Sequence, residues 1–222
     1  MRWNVTPCSE WQLYIIVDRA AIGPRDLAEV AAGAIRGGAD VIQLRDKTAS
    51  ARGLIEEAHR VLALTRAAGI PLIINDRVDV ARAVGADGVH VGQDDLPLEA
   101  ARDILGPGRL IGTSTHSLEQ AMAAQAQGAD YIGVGPLFPT PTKPEYASIG
   151  TTLVGQIVSR VRLPTVCIGG VDRATLEQVV RAGATCVAVV RAVCSASDPE
   201  AAARELKTAL TNLLAQHAGR TL

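Results

Sequence analysis

Eight short apolar runs rich in β-branched residues alternate with Ala-rich stretches of helical spacing. That alternation predicts an α/β fold, a closed (β/α)8 barrel, as a single domain over residues 1–222. Chain length agrees: 222 residues give about 28 per strand–helix unit, which suits a compact eightfold barrel. So does an internal repeat. Gly38-Ala39-Asp40, Gly85-Ala86-Asp87 and Gly128-Ala129-Asp130, with the variant Gly183-Ala184-Thr185, precede runs two, four, six and eight. The competing architecture is an open doubly wound sheet.

The runs occupy residues 13–17, 41–45, 72–75, 88–91, 110–114, 131–134, 165–168 and 186–190. Pro24 sits where a first helical turn begins after run one, and Leu27, Val30, Ala31 and Ala34 then fall on one helical face. The glycine of each repeat suits the left-handed position that stops a helix before the next strand. Leu118, Ala121, Met122 and Gln125 predict a mostly apolar helix face between runs five and six. Asp198-Pro199-Glu200 reads as an N-cap, a first-turn proline and a first-turn acid opening the last helix. Neither a linker nor a low-complexity segment interrupts the pattern. Its longest irregular stretch, residues 135–150 (GPLFPTPTKPEYASIG), is of the length at which loops carry function.

Composition excludes several classes. The net charge is −1 and no basic run occurs, so nucleic acid is not expected as a partner. Six aromatic residues supply neither base-stacking platforms nor a membrane belt, and no apolar stretch is long enough to span a bilayer. The N-terminus lacks the apolar core of a secretory signal, and Cys8, Cys167, Cys186 and Cys194 form no C-x-x-C pair. A reducing, cytoplasmic setting is expected.

Barrel active sites form where strands end. Run two ends in Gln43-Leu44-Arg45-Asp46-Lys47. Gln43 and Arg45 share a face, so Arg45 either meets an anionic ligand or pairs internally with Asp46 or Asp76. Run three ends in Asn75-Asp76, and run four leads to Asp95. Two carboxylates on neighbouring strand ends suit one Mg2+, unless Asp95 caps the following helix. His90 reads as a hydrogen-bonded core histidine. Ser114 and His116 face either a ligand or the protein, and Ser117 is a good N-cap. No acid completes a hydrolase triad. Gly169-Gly170 is either a phosphate cradle or a tight turn. Thr140, Thr142 and Lys143 add hydroxyls and a cation from the long loop. Neither nucleotide-binding glycine motif is present. The two anion-binding edges point to an enzyme that joins a diphosphate to a phosphorylated partner.

The segments QLRDK, NDRVDVARAVGADGVHVGQDDLP, GTSTHS, DYIGVGPLFPTPTK and IGGV occur in that order and resemble the thiamine phosphate synthases from about Tyr14 to the final helix. The resemblance implies a transferase of the TIM-barrel class. It would condense a hydroxymethylpyrimidine diphosphate with a thiazole phosphate, or with its carboxylated form, releasing pyrophosphate with the help of Mg2+. By position, Gln43, Leu44, Arg45, Asp46 and Lys47, with Asn75, would hold the pyrimidine diphosphate. Asp76 and Asp95 would ligate the metal. Ser114 would sit on the diphosphate side, and Thr140, Pro141, Thr142 and Lys143 would close over both substrates. Gly170, Val190 and Arg191 would bind the thiazole phosphate. Catalysis would fall to Arg45, Lys47, Ser114 and Lys143. A homodimer is compatible with the resemblance, as is a monomer.

Three features depart from the family. Arg191 stands where a serine is common, Thr185-Cys186 replaces an Asp-Gly, and the segment before run one is short. A related thiazole tautomerase and a non-catalytic phosphate-binding barrel are the alternatives, the first giving His116 the larger role.

Overall fold

The computed structural model describes residues 7–141 and 147–218. Eight parallel strands close into a barrel in which each pairs with the next and the eighth returns to the first. They are β1 Leu13–Asp18, β2 Val41–Arg45, β3 Leu72–Asn75, β4 Gly88–Val91, β5 Leu110–Thr115, β6 Tyr131–Val134, β7 Thr165–Ile168 and β8 Cys186–Val189. The intervening helices are α1 Arg19–Ile22, α2 Leu27–Arg36, α3 Ala51–Ala68, α4 Val78–Val84, α5 Leu98–Leu105, α6 Leu118–Ala126, α7 Thr152–Val158, α8 Leu176–Arg181, α9 Arg191–Cys194 and α10 Pro199–Ala218.

Alternation along each strand sorts the core into two layers. In β1, Leu13, Ile15 and Val17 face the helices, while Tyr14 and Ile16 face the barrel axis. In β2, Ile42 and Leu44 pack outward and Val41 inward. The axis is plugged near its lower end by Trp11, Tyr14 and Tyr131, whose rings meet edge to face at 5.3 and 5.9 Å about the indole.

At the N-terminal ends of the strands, the repeated aspartate has a physical role. Asp40 Oδ2 accepts the Gln12 and Leu13 N–H groups at 2.9 and 2.8 Å, Asp87 Oδ2 accepts Leu72 N–H at 2.9 Å, and Asp130 Oδ2 accepts Ile111 N–H at 2.7 Å. β2, β4 and β6 are thus each preceded by an aspartate that caps the odd-numbered strand before them. Lys207 and Arg102 pair with the Asp40 and Asp130 carboxylates, both at 2.6 Å. The repeat's glycines all carry positive φ, from 68° to 103°, as the helix-stop reading requires.

Three local expectations need correction. Pro24 precedes α2 instead of opening it: Asp26 is the N-cap, accepting Glu29 N–H at 2.9 Å. The buried face of α6 is Ala121 and Ala124, and Met122 is 52% exposed, because the helix turns its smallest side chains toward the barrel. Strand β8 stops at Val189, because Val190 adopts φ −114°, ψ −83° and hands the chain to α9. The predicted cap of α10 is present: Asp198 Oδ1 accepts the Glu200 and Ala201 N–H groups at 3.0 Å. All four cysteines are free thiols.

Candidate active site

A cavity of about 500 Å³ opens at the C-terminal ends of the strands. It is lined from below by Tyr14, Gln43, His90 and Tyr131. One edge carries Arg45, Asn75 and Ser114; the other carries Gly169, Gly170, Val190 and Arg191. Thr140 and Pro141 of the long loop stand over the opening. Thr142 and Lys143 lie outside the described residues.

Strand register positions the first edge. β1 and β2 pair so that Asp18 lies opposite Arg45, and the guanidinium meets the Asp18 carboxylate at 2.5 Å. The internal partner of Arg45 is therefore Asp18 at the end of β1, not Asp46 or Asp76. Asp18 is nearly buried, so an ion pair here keeps each charge compensated. Its other oxygen accepts Ala20 N–H at 2.9 Å and caps α1. Asp46 is occupied locally: Oδ1 accepts from the Thr48 N–H, the Thr48 hydroxyl and the Ala49 N–H. Although partial burial acts against it, these bonds hold the Asp46 carboxyl below its ordinary value. Leu44 points its side chain into the helix-facing core.

Lys47 forms an ion pair with Asp76, whose backbone sits at φ 60°. Asp76 also shares a hydrogen bond with the Asp95 carboxyl. Burial first, and then Asp95, raise the Asp76 pKa against the opposing pull of Lys47. Asp95 does not cap α5, whose N-cap is Pro97 with no side-chain cap bond. It accepts Gly92 N–H at 2.7 Å instead, which turns its carboxyl back toward β3. Two like-charged groups packed together gain from a shared cation, and the hard oxygen donors match Mg2+. Among the described residues no group of three or more potential metal-binding side chains occurs, so this pair would need substrate oxygens and water to complete a coordination shell.

The opposite edge is shaped by the long loop. Gly169 and Gly170 carry φ 95° and 65°, and a Cβ at either would stand 2.4 Å from Pro136 Cα or 2.7 Å from Phe138 Cβ. Glycine is needed there because the loop packs directly on the turn, with Phe138 N–H donating to the Gly169 carbonyl at 3.0 Å. Arg191 is exposed at the rim. The helix it opens, α9, is tied down at its far end: Arg25 donates from Nη1 to Ala196 O at 2.7 Å, from Nη2 to Cys194 O, and from Nε to Ile22 O at 3.0 Å.

Asp18, Tyr14, Tyr131 and Arg25 were not singled out by sequence reasoning. Asp18 carried a signal, as an acid directly after an apolar run. The two tyrosines read as ordinary core members of theirs. His90 meets the expectation of a hydrogen-bonded core histidine, touching Tyr131 Oη at 3.2 Å and Ser114 Oγ at 3.1 Å. Ser117 caps α6, accepting Gln120 N–H at 3.2 Å, and His116 Nδ1 lies 2.5 Å from Gly135 O.

Comparison with known proteins finds one family model, described as thiamine monophosphate synthase, matching residues 13–193. A protein of Roseiflexus sp. (strain RS-1) named thiamine-phosphate synthase is 50% identical over 207 residues, covering 93% of this chain and 88% of its own. One of the same name from Roseiflexus castenholzii is 52% identical over 201 residues, covering 90% and 88%. Among solved structures, the thiamine phosphate pyrophosphorylase of Pyrococcus furiosus superposes with a TM-score of 0.86 at 38% identity, covering 93% of this chain and 98% of that one.

Proposed function

The chain belongs to the thiamine monophosphate synthase family, and from that membership we propose that it joins a pyrimidine carrying a methyl diphosphate to a thiazole phosphate, releasing pyrophosphate. As a member of that family it is an enzyme of the transferase class. One observation carries the substrate assignment. A single cavity has Arg45 and Asn75 on one edge, with the Lys47–Asp76 pair and Asp95 at the adjoining strand ends, and a glycine-rich edge at Gly169 and Gly170 just after β7, across the barrel. Two anionic groups would enter at opposite edges, with their rings between them.

Departure of pyrophosphate builds negative charge on the leaving group and positive charge on the pyrimidine methylene. Arg45 is held rigidly by Asp18 and would meet the leaving oxygens without reorganising. Lys47, now on Asp76, has its ammonium at the same edge, and Lys143 belongs to the loop that would complete it. Asp76 and Asp95 would hold Mg2+, which when bound supplies charge neutralisation to the diphosphate. The neutral thiazole nitrogen needs no base, in keeping with the lack of a triad. Gly170, Val190 and Arg191 would hold the thiazole phosphate at a distance that orients this nitrogen toward the methylene.

The direct test is pyrophosphate release with both substrates and Mg2+. Release that requires both substrates supports the reading; release from neither pair, with the protein folded, overturns it.

A further inference from the structure

A chain of hydrogen bonds crosses the barrel interior beneath the cavity. Gln43 Nε2 donates to Tyr14 Oη at 2.7 Å, and Tyr14 Oη lies 3.0 Å from Tyr131 Oη. Tyr131 Oη lies 3.2 Å from His90 Nδ1, and His90 Nε2 lies 3.1 Å from Ser114 Oγ. These side chains come from β1, β2, β4, β5 and β6, so the chain exists only in the closed barrel.

Proton counting gives this chain a direction. An amide nitrogen cannot accept, so Tyr14 receives its bond from Gln43, and its single proton passes to Tyr131. Tyr131 then spends its own proton on His90 Nδ1, which must be a lone pair. The imidazole proton therefore sits on Nε2 and points at Ser114. Because Ser114 Oγ accepts that bond, its hydroxyl proton is available to the cavity. No buried side-chain nitrogen or oxygen among the described residues lacks a partner, so nothing in the chain is left over. Both phenols stay protonated, since burial raises their pKa above the ordinary tyrosine value.

We propose that Tyr131 is a positioning residue: by occupying His90 Nδ1 it holds the imidazole as the Nε2–H tautomer and commits Ser114 to donate into the cavity. At the other end the Gln43 amide, fixed through its nitrogen, keeps its carbonyl oxygen as an acceptor. The cavity floor thus has set polarity, an acceptor on β2 and a donor on β5. That pattern suits a heteroaromatic ring with an amino group on one side and an electronegative atom on the other. This inference rests on the proposed reaction.

The reverse chain makes the opposite forecast. If a phenol proton were given to the Gln43 carbonyl, every bond would turn around and Nδ1 would carry the imidazole proton. Nitrogen-15 spectra of the imidazole side chains decide between the two. His90 is assigned by the loss of its signals in His90→Gln. At neutral pH the intact protein should show His90 neutral, with the proton on Nε2. A proton on Nδ1, or an imidazolium, overturns the proposal. In Tyr131→Phe, the ring that packs against Gly112 is kept and only the hydroxyl is lost. The His90 spectrum should change toward mixed tautomers, and kcat should fall about 10- to 100-fold with KM for the thiazole phosphate unchanged. An unchanged spectrum or an unchanged kcat also overturns it. The spectra of the intact protein need no turnover, and a variant enters only to assign His90. They therefore settle the tautomer even if pyrophosphate release fails and the reaction itself is withdrawn.

Discussion

The two ends of the barrel use the same residue type in opposite ways. At the N-terminal ends of the strands, Asp40, Asp87 and Asp130 each accept backbone N–H groups of the preceding strand. At the C-terminal ends, Asp18 meets a guanidinium while Asp76 and Asp95 are set against one another. The pKa of Asp87 is raised as that of Asp76 is. At Asp87 burial does this against the pull of Arg109 and Arg66, whereas at Asp76 a second carboxylate reinforces it. The direction of a shift alone does not mark the site; a like-charged neighbour does. At the N-terminal end the carboxylates are met by backbone N–H groups and by Lys207 and Arg102, whereas at the C-terminal end Asp76 and Asp95 lie against one another, the arrangement that the proposed Mg2+ would use.

Among the substitutions, the largest effect is expected at Arg45. Arg45→Ala should lower kcat about 100- to 1000-fold, the loss typical of one preorganised charge-stabilising group. It should also lower stability by about 3 kcal/mol, because it strands the buried Asp18 carboxylate. Arg45→Gln combined with Asp18→Asn should recover most of the stability and none of the activity. Recovered activity in the double variant would show that the pair is structural only.

Asp76→Asn and Asp130→Ala test the contrast between the two ends directly. Asparagine tolerates the positive φ of Asp76, and the change removes one of two repelling carboxylates. Activity should fall by at least about 100-fold while the metal-free protein melts at the same or a higher temperature at neutral pH. Asp130→Ala removes the cap on Ile111 N–H and the partner of Arg102, and should cost about 1–2 kcal/mol with kcat unchanged. If Asp76→Asn instead melted lower and Asp130→Ala lost turnover, the division between the ends would collapse.

Chelation tests the carboxylate pair without a substitution. EDTA should abolish pyrophosphate release and Mg2+ restore it. The melting temperature of the protein without substrate should move little, because two carboxylates alone hold Mg2+ weakly. Persistent activity in excess EDTA would take the metal role from Asp76 and Asp95.

The smallest effect is expected at Arg191. Arg191→Ser should raise KM for the thiazole phosphate by about tenfold or less at low salt, make it less salt-sensitive, and leave KM for the pyrimidine diphosphate unchanged. An unchanged KM for the thiazole phosphate would leave Arg191 a solvated rim residue.

The strands were legible because each is largely buried on both sides and so begins as a short apolar run, with polar residues falling toward its C-terminal end. Five of the eight runs match the observed strands end to end, and the others differ by one residue at the C-terminal end. The α6 face was misjudged because Met122 and Ala124 are both apolar, and only packing shows which one the barrel has room for. The carboxylate pair was legible as two acids after neighbouring runs. The role of Asp18 was not, because pairing it with Arg45 requires the β1–β2 register.

The sequence by itself determined the barrel, the order of its strands, and the strand ends from which Gln43, Arg45, Asn75, Ser114, Gly170 and Arg191 line one cavity. These follow from local alternation, helix-stop glycines and the placement of polar residues after apolar runs. Tertiary structure decided which charges are paired, why Gly169 and Gly170 lie under the long loop, and how Gln43, Tyr14, Tyr131, His90 and Ser114 join into one chain. The links of that chain join groups 24 to 117 positions apart, and the longest, Tyr14 to Tyr131, is made across the barrel, so it needs the sheet to close.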